Sequence, residues 1–232
     1  MSKKAIWALL LVLGVPLTAY FLVKYFSEEA VVMPRRYFHD SVVEKTKDGK
    51  LYKDTVWHSV ANFTFTNQLG QTVSADEVKG KILVVDFFFT RCPNPCPTLT
   101  RNMKRMQDSY LKTDTLIHFI SFSVDPSRDS VPVLKAYADR FGVRHNNWWM
   151  LTGEKKDIYD LAFNEFKAAV VDGGNVDTAF IHTSKFYLLD KERVIRGWYD
   201  GTDTASLRKM ARDISLLILE KDKKKKRNLF RK

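Results

Sequence analysis

The only two cysteines of this 232-residue chain lie four positions apart, in the run Cys92-Pro-Asn-Pro-Cys96. An almost entirely apolar stretch from Ile82 to Phe89 precedes them, and helix-like periodicity follows. This order places the pair between a buried strand and the first turn of a helix, where unpaired backbone N–H groups and the helix dipole favour a thiolate. Because thiolates are nucleophiles and soft metal ligands, the pair predicts redox chemistry, metal binding or both.

The spacing of the cysteines narrows the chemistry. Three residues separate them, whereas two are typical of a redox motif. A four-residue offset in a first helical turn brings both sulfurs to one side, where two thiolates suit Cu(I), or zinc with further ligands. The alternative is a pair of buried small side chains or an inert local disulfide. Pro93, Pro95 and Pro97 argue against it, because they remove backbone donors and stiffen a loop suited to a presented site.

The N-terminus carries the signals of a membrane anchor. Lys3 and Lys4 precede an uncharged run from Ala5 to Val23, which meets the threshold of roughly 18 apolar residues for a membrane-spanning helix. No small-x-small cleavage pattern follows it, so we expect an uncleaved, single-pass anchor in the cytoplasmic membrane. The lysines favour a cytoplasmic N-terminus and an extracytoplasmic, periplasmic domain. A cleaved signal peptide is the alternative, and it would change only whether the mature protein is tethered to the membrane.

Positive charge is concentrated at the C-terminus. Residues 221–232 carry eight basic side chains and one acidic side chain, in a chain whose formal net charge is +11. Such a like-charged block is typical of a solvated, disordered tail, and contact with anionic lipid is expected. The body of the chain is nearly balanced. The predicted location outside the cytoplasm argues against nucleic acid as a partner.

Hydrophobic periodicity predicts an α/β fold beyond the anchor. The predicted order is β-β-β-α-β-α-β-α-β-β-α, which describes an N-terminal hairpin and a central mixed sheet with helices on both faces. This is a thioredoxin-like layout with insertions. The predicted boundaries are residues 1–26 for a cytoplasmic stub and transmembrane anchor, 27–56 for a stalk that leads into the domain, 57–220 for the thioredoxin-like domain, and 221–232 for the basic tail.

Other potential copper ligands are interpreted as structural. Met103 and Met106 recur with Leu99 at helical spacing, which predicts a stripe that faces the core. His118 lies inside a predicted strand, where a histidine is usually a structural residue with satisfied hydrogen bonds. These side chains are therefore left out of the predicted site.

Four blocks of the sequence, in order, resemble the Sco/SenC family of membrane-anchored copper proteins. The likeness extends from about Phe63 to Ile218. The blocks are residues 87–97, which contain both cysteines, residues 123–130, residues 149–153, and the loop and strand at residues 182–190.

The resemblance implies a thioredoxin-like domain that binds one copper ion per chain, as Cu(I) or Cu(II), through Cys92, Cys96 and His182. Without the resemblance, a loop histidine so far from the cysteines would be taken as a surface residue. Asp125 matches an acidic residue near the site of relatives, so we expect it close behind the ligands. Relatives commonly have Pro-Asp after the first cysteine, and Asn94 departs from this pattern. The lost negative charge is expected to lower the thiol pKa values slightly and to leave the ligands intact.

The resemblance also implies a role in assembling the dinuclear copper (CuA) centre of cytochrome c oxidase, by copper delivery or by reduction of the target's cysteines. The expected partners are the oxidase subunit that carries the CuA site and a thioredoxin-like reductase. The resemblance favours a metallochaperone over an enzyme and leaves thiol–disulfide reductase activity open. The alternative is an extracytoplasmic thiol–disulfide oxidoreductase without a metal role, in which Cys92 attacks, Cys96 resolves and His182 is dispensable. A peroxidase is a third interpretation, although no arginine is evidently placed to activate a peroxide.

Overall fold

The computed structural model describes residues 3–30, 32–47, 49–168 and 183–220. The chain divides into two compact units, one that ends at Met33 and one that begins at Pro34. His182 and the predicted basic tail lie outside the described residues.

The first unit is the helix α1 (Lys3–Ala30). Its stretch Lys3–Lys24 contains an 18-residue window with a mean hydropathy of 2.3 and is long and apolar enough to cross a membrane, by length and composition. The helix contains Pro16, and the hydroxyl of Thr18 donates to the carbonyl of Gly14 over 2.8 Å. The structure thus confirms the predicted apolar helix, which continues past residue 26.

The second unit contains the strands and the remaining helices. In chain order, the strands are β1 (His39–Lys47), β2 (Lys50–Trp57), β3 (Thr64–Asn67), β4 (Thr72–Ser74), β5 (Ile82–Phe88), β6 (Ile117–Ser123), β7 (Trp148–Thr152), β8 (Lys185–Leu189) and β9 (Ile195–Asp200). The helices are α2 (Cys96–Ser109), α3 (Val131–Arg140), α4 (Lys155–Asp160), which continues into a π-helical turn (Leu161–Glu165), and α5 (Thr204–Leu219).

A mixed, seven-stranded sheet with the order β4-β3-β7-β6-β5-β8-β9 organises the second unit. Strands β5, β6 and β7 are parallel, whereas the pairs toward both edges are antiparallel. Every residue of β5 and β6 is buried, as expected for parallel strands covered on both faces. The predicted mixed sheet is confirmed, and the predicted order of elements is correct from β3 onward, whereas β1 and β2 were not predicted. The cysteines follow the central strand β5.

The two faces of the sheet pack against separate apolar clusters. Both cysteines belong to one cluster, together with Met103 and Met106, which are 0% and 7% exposed. The interpretation of these methionines as core residues is therefore confirmed. His118 is also buried, with its ring 4.2 Å from that of Trp149. The expectation of satisfied hydrogen bonds is wrong for His118, because neither ring nitrogen has a partner among the described residues.

Part of the segment predicted as a stalk forms a two-stranded hairpin, in which β1 and β2 pair antiparallel. His58 ties the base of this hairpin to the domain, since its Nδ1 lies 2.9 Å from Asp40 Oδ1 and its Nε2 lies 3.1 Å from the carbonyl of Glu165. A hairpin with both faces largely exposed carries little alternation of apolar and polar residues. Periodicity therefore gave no sign of it.

Candidate metal and redox site

The two cysteines lie where the chain leaves the central strand and enters a helix. Cys92 and Cys96 are free thiols and only 4% and 2% exposed. Cys96 is the first residue of α2, which agrees with the predicted order of strand, cysteine pair and helix. The amide of Cys92 donates to the carbonyl of Phe89 over 3.2 Å, which closes the turn after β5.

A hydrogen bond joins the two cysteines directly. The backbone N–H of Cys96 donates to the sulfur of Cys92 over 3.4 Å. The N-cap residue of α2 is Pro95, whose side chain has no hydrogen-bonding group. The Cys92 sulfur therefore accepts one of the first four N–H groups of the helix, which have no partner within the helix itself. This arrangement holds both cysteines close together at the first turn. Such proximity is needed both for binding one ion and for forming one disulfide.

A buried polar chain supports the first turn of α2. The hydroxyl of Thr100 donates to the carbonyl of Cys96 over 2.9 Å and lies 2.9 Å from the hydroxyl of Tyr137. Tyr137 packs against Phe88, at the end of β5, with 5.5 Å between ring centroids. Burial raises the pKa of Tyr137, so the phenol stays neutral beside the cysteines.

Burial outweighs the helix dipole at the second cysteine. Burial raises the pKa of the Cys96 thiol, and a hydrogen bond between the Cys96 and Cys92 side chains raises it further. The sequence predicted that the helix N-terminus would favour thiolates, and for Cys96 this expectation is wrong because the side chain is removed from water. Binding a metal through Cys96 must therefore displace a proton.

A buried carboxylate lies in the strand that leads to the site. Asp86 is 2% exposed, and burial raises its pKa to about 7. Its Oδ1 has no hydrogen-bond partner in the described part of the chain. The negative charge of Asp86 contributes to the raised pKa of Cys96 and of Tyr137. Sequence reasoning passed over Asp86, although it is the one charged residue of a run that is otherwise apolar.

Two aspartates in the loop after β6 differ in what they contact. Asp125 accepts hydrogen bonds from Ser127 Oγ at 3.0 Å and Arg128 Nη1 at 3.3 Å, both in its own loop. Its expected position behind the metal ligands stays a prediction. Asp129 instead accepts from the amide and the hydroxyl of Thr90, two residues before Cys92. Sequence reasoning missed Asp129, although it and Thr90 belong to two of the blocks that carried the resemblance.

The third predicted ligand, His182, lies outside the described residues. In the ranges given above, no group of three or more His, Cys, Asp or Glu side chains is arranged to hold a metal ion. His58 and His145 are engaged elsewhere, with Asp40 and Asp139 respectively. The two sulfurs form a partial set of soft donors, which fits a thiophilic ion such as Cu(I).

The fold and the cysteine pair define a thioredoxin-like α/β protein of the Sco class. A family model described as SCO1/SenC matches residues 54–218, and the chain belongs to this family.

Relatives and solved structures from bacilli are similar over most of the second unit. The SCO1 protein homolog of Bacillus subtilis is 35% identical over 156 residues, which are 67% of this chain and 80% of that protein. The crystal structure of a SCO1/SenC family lipoprotein from Bacillus anthracis is 32% identical, with a TM-score of 0.60 over 70% of this chain and 95% of that one. BsSco, described as a member of the Sco family of cytochrome c oxidase assembly proteins with a disulfide switch, is 32% identical, with a TM-score of 0.61 over 71% and 96%.

Proposed function

We propose that this protein is a membrane-anchored copper-binding protein that acts in assembly of the CuA centre of cytochrome c oxidase. The observation that carries the proposal is the pair of free, buried cysteines at the start of α2, in which the Cys96 amide donates to the Cys92 sulfur, in a chain of the SCO1/SenC family. The description of BsSco as an oxidase assembly protein supports the same role. The action is copper delivery, reduction of the target's cysteines, or both in sequence.

The proposed ligands of the single copper ion are Cys92, Cys96 and His182. Two thiolates suit Cu(I), and an added imidazole suits Cu(II), so this donor set accommodates both oxidation states. All three ligands must be deprotonated, and the raised pKa of Cys96 adds to the proton release. Copper affinity should therefore fall as the pH is lowered.

The proposed location is the outer, periplasmic side of the cytoplasmic membrane, with α1 as the single-pass anchor. The partners are the oxidase subunit that carries the CuA site and a thioredoxin-like reductase. A Cys92–Cys96 disulfide returns to two thiols when a partner dithiol gives up two electrons and two protons and becomes a disulfide itself. Residues 221–232 are proposed to contact the phosphates of anionic lipid through their basic side chains.

Copper counting on the full chain tests this function. The reduced protein, purified in detergent, is loaded with Cu(I), freed of unbound metal and assayed for copper per chain. We expect about one ion per chain, as for a single Cys2His site, and a large loss of copper in Cys92→Ala. Binding near zero, or binding that is unchanged in a double variant of Cys92→Ala and His182→Ala, would refute the proposal.

A thiol–disulfide oxidoreductase without a metal role is the second candidate. The 3.4 Å contact between the Cys96 amide and the Cys92 sulfur favours it, because this contact holds the two cysteines close together. In that role Cys92 attacks the substrate and Cys96 resolves the mixed disulfide. The variant His182→Ala separates the two functions, since it should weaken copper binding and leave thiol–disulfide exchange intact.

A further inference from the structure

We propose that Asp129 is the positioning residue that fixes the Cys92 loop for its chemistry. The inference rests on the proposed function, because it concerns how the chain places the thiol that binds copper or exchanges disulfides. Asp129 is 0% exposed and lies in the loop between β6 and α3. It is 37 positions from Cys92 in the sequence and reaches the cysteine loop through hydrogen bonds to Thr90.

The Asp129 carboxylate accepts three hydrogen bonds. Oδ2 accepts from the backbone N–H of Thr90 at 3.1 Å and from the hydroxyl of Ser123 at 2.5 Å. Oδ1 accepts from the hydroxyl of Thr90 at 2.5 Å. A buried carboxylate is tolerated only when such donors replace water, and hydrogen bonds to an ionised acceptor are short and strong. Asp129 therefore acts as a clamp between the ends of β5 and β6.

The clamp controls the position of Cys92 because the residue that it holds, Thr90, is only two residues from Cys92 in the chain. Thr90 is held on both its backbone and its side chain, and Cys92 follows two residues later. The Cys92 amide is in turn bonded to the carbonyl of Phe89, which precedes Thr90. The backbone around Cys92 is thus fixed at Phe89, Thr90 and, through its sulfur, at the amide of Cys96.

The other anchor between these strand ends does not involve the cysteine loop. The amide of Val124, the residue after β6, donates to the carbonyl of Phe88, the last residue of β5, over 2.9 Å. This bond lies before the turn that carries Cys92 and does not hold that turn. When the Asp129 clamp is removed, the strands stay paired, but the turn that carries Cys92 loses its link to β6. The expected consequence is a misplaced sulfur in a folded protein.

Variants of Asp129 and Thr90, the two residues of the clamp, test the proposal on the full chain. Asp129→Asn keeps the shape but replaces an acceptor oxygen by an amide donor that faces other donors. Thr90→Val replaces the hydroxyl by a methyl group, and Thr90→Ser keeps the hydroxyl. The matched control is Asp213→Asn, because Asp213 is also buried, 5% exposed, and accepts a hydrogen bond at 2.7 Å from Tyr199 on a different element.

The main measurement is Cu(I) affinity, determined by competition with a chromogenic Cu(I) chelator. We expect Asp129→Asn to weaken the affinity roughly 10- to 100-fold, as is typical when a residue that orients a metal ligand is lost. Thr90→Val should produce a smaller loss, and Thr90→Ser should return the affinity to the wild-type value. Asp213→Asn should lower thermal stability without changing the affinity.

A second measurement, on the metal-free reduced protein, is the rate at which each cysteine reacts with a maleimide. A displaced loop changes the access of Cys92, so its rate should change in Asp129→Asn and Thr90→Val and not in the control. If both variants match the wild type in affinity and thiol rate, or if Asp213→Asn shifts them equally, Asp129 has only a structural role and the inference is wrong. If Asp129→Asn fails to fold, the comparison of Thr90→Val with Thr90→Ser is sufficient to test the inference. Failure of the wild-type protein to bind copper refutes the proposed function instead, and the thiol rates then test the clamp alone.

Discussion

The sulfur of Cys92 accepts a hydrogen bond from the backbone amide of Cys96 over 3.4 Å. This contact ties the Cys92 loop to the first residue of α2 and holds the two cysteines close together. The reduced protein therefore needs little rearrangement to share one ion between both sulfurs or to join them in a disulfide. Copper binding and disulfide formation both use the two sulfur atoms, so they exclude each other.

Oxidation is therefore expected to abolish copper binding. A Cys92–Cys96 disulfide removes both thiolate donors, and the closed loop is so short that the bond should stabilise the fold little through chain entropy. The measurement is copper uptake by one preparation before and after treatment with a thiol reductant that is removed before loading. The oxidised form should take up copper only after reduction. The disulfide switch described for BsSco is consistent with this expectation.

The control for this prediction is Cys96→Ser, which cannot form the internal disulfide. Any residual copper binding by this variant should not respond to the reductant. Equal uptake by the wild-type protein in both states would show that the cysteines are not ligands.

The buried histidine His118 should make the fold sensitive to acid. Burial, aided by the nearby charge of Lys81, lowers the pKa of His118 from 6.5 to about 3. Between these values the unfolded chain binds a proton that the folded chain does not. This contribution to stability is therefore complete above about pH 6.5 and is lost toward pH 3, by about 1.4 kcal/mol per pH unit.

Urea unfolding followed by tryptophan fluorescence at several pH values measures this effect. His118→Phe keeps a planar ring against Trp149 and removes the titration. The difference in unfolding free energy between variant and wild type should grow as the pH falls below 6.5. A difference that does not depend on pH would contradict the prediction.

Asp86 should impose the opposite pH dependence. Burial raises its pKa from 3.8 to about 7, so between these values the folded chain binds a proton that the unfolded chain releases. Its contribution to stability is complete below pH 3.8 and is lost as the pH rises toward 7. Asp86→Asn removes the buried charge, and we expect the variant to gain stability relative to the wild type as the pH rises through this window.

The same variant should also make Cys96 easier to ionise, because the charge of Asp86 contributes to the raised pKa of that thiol. At a fixed alkaline pH, Cys96 should therefore be alkylated slightly faster in Asp86→Asn, because burial and the contact with Cys92, which raise its pKa more than Asp86 does, remain. In the wild-type protein the slopes from Asp86 and His118 oppose each other, so stability should vary little where the two titration windows overlap. The single variants should reveal slopes of opposite sign, and slopes of the same sign would show that one of the two assignments is wrong.

Local patterns predicted most of the fold but not the polar interior. Strand β5, the cysteine pair and helix α2 are consecutive in the sequence, so periodicity and helix-terminus rules were sufficient to place them. The link from Asp129 to Thr90 spans 39 positions, and no periodicity encodes it. The hydrogen bonding of Asp86 and His118 depends on which neighbours the sheet brings to them, and a strand pattern records only that these positions are buried.

The buried guanidinium of Arg196 joins three distant parts of the second unit. Nη1 lies 2.9 Å from Asp190 in the turn after β8 and 2.7 Å from Glu220 after α5. Nε and Nη2 donate to the carbonyl of Pro34 over 3.1 and 2.6 Å. The side chains of Arg196 and Asp190 are only 3% and 8% exposed, so removal of the arginine leaves a buried carboxylate without its counter-charge.

Arg196→Met should therefore destabilise the fold by about 3–5 kcal/mol, the range found when one partner of a buried ion pair is removed. Urea unfolding of the full chain measures the change. The matched control is Arg212→Met, since Arg212 is 71% exposed and lies 3.8 Å from Asp213. Its loss should change stability by about 0–1 kcal/mol.

Adding Asp190→Asn to Arg196→Met removes the unpaired buried charge and should recover part of the lost stability. A double variant less stable than Arg196→Met would show that Asp190 stabilises the turn through its hydrogen bonds to the amides of Glu192 and Val194 rather than through the ion pair.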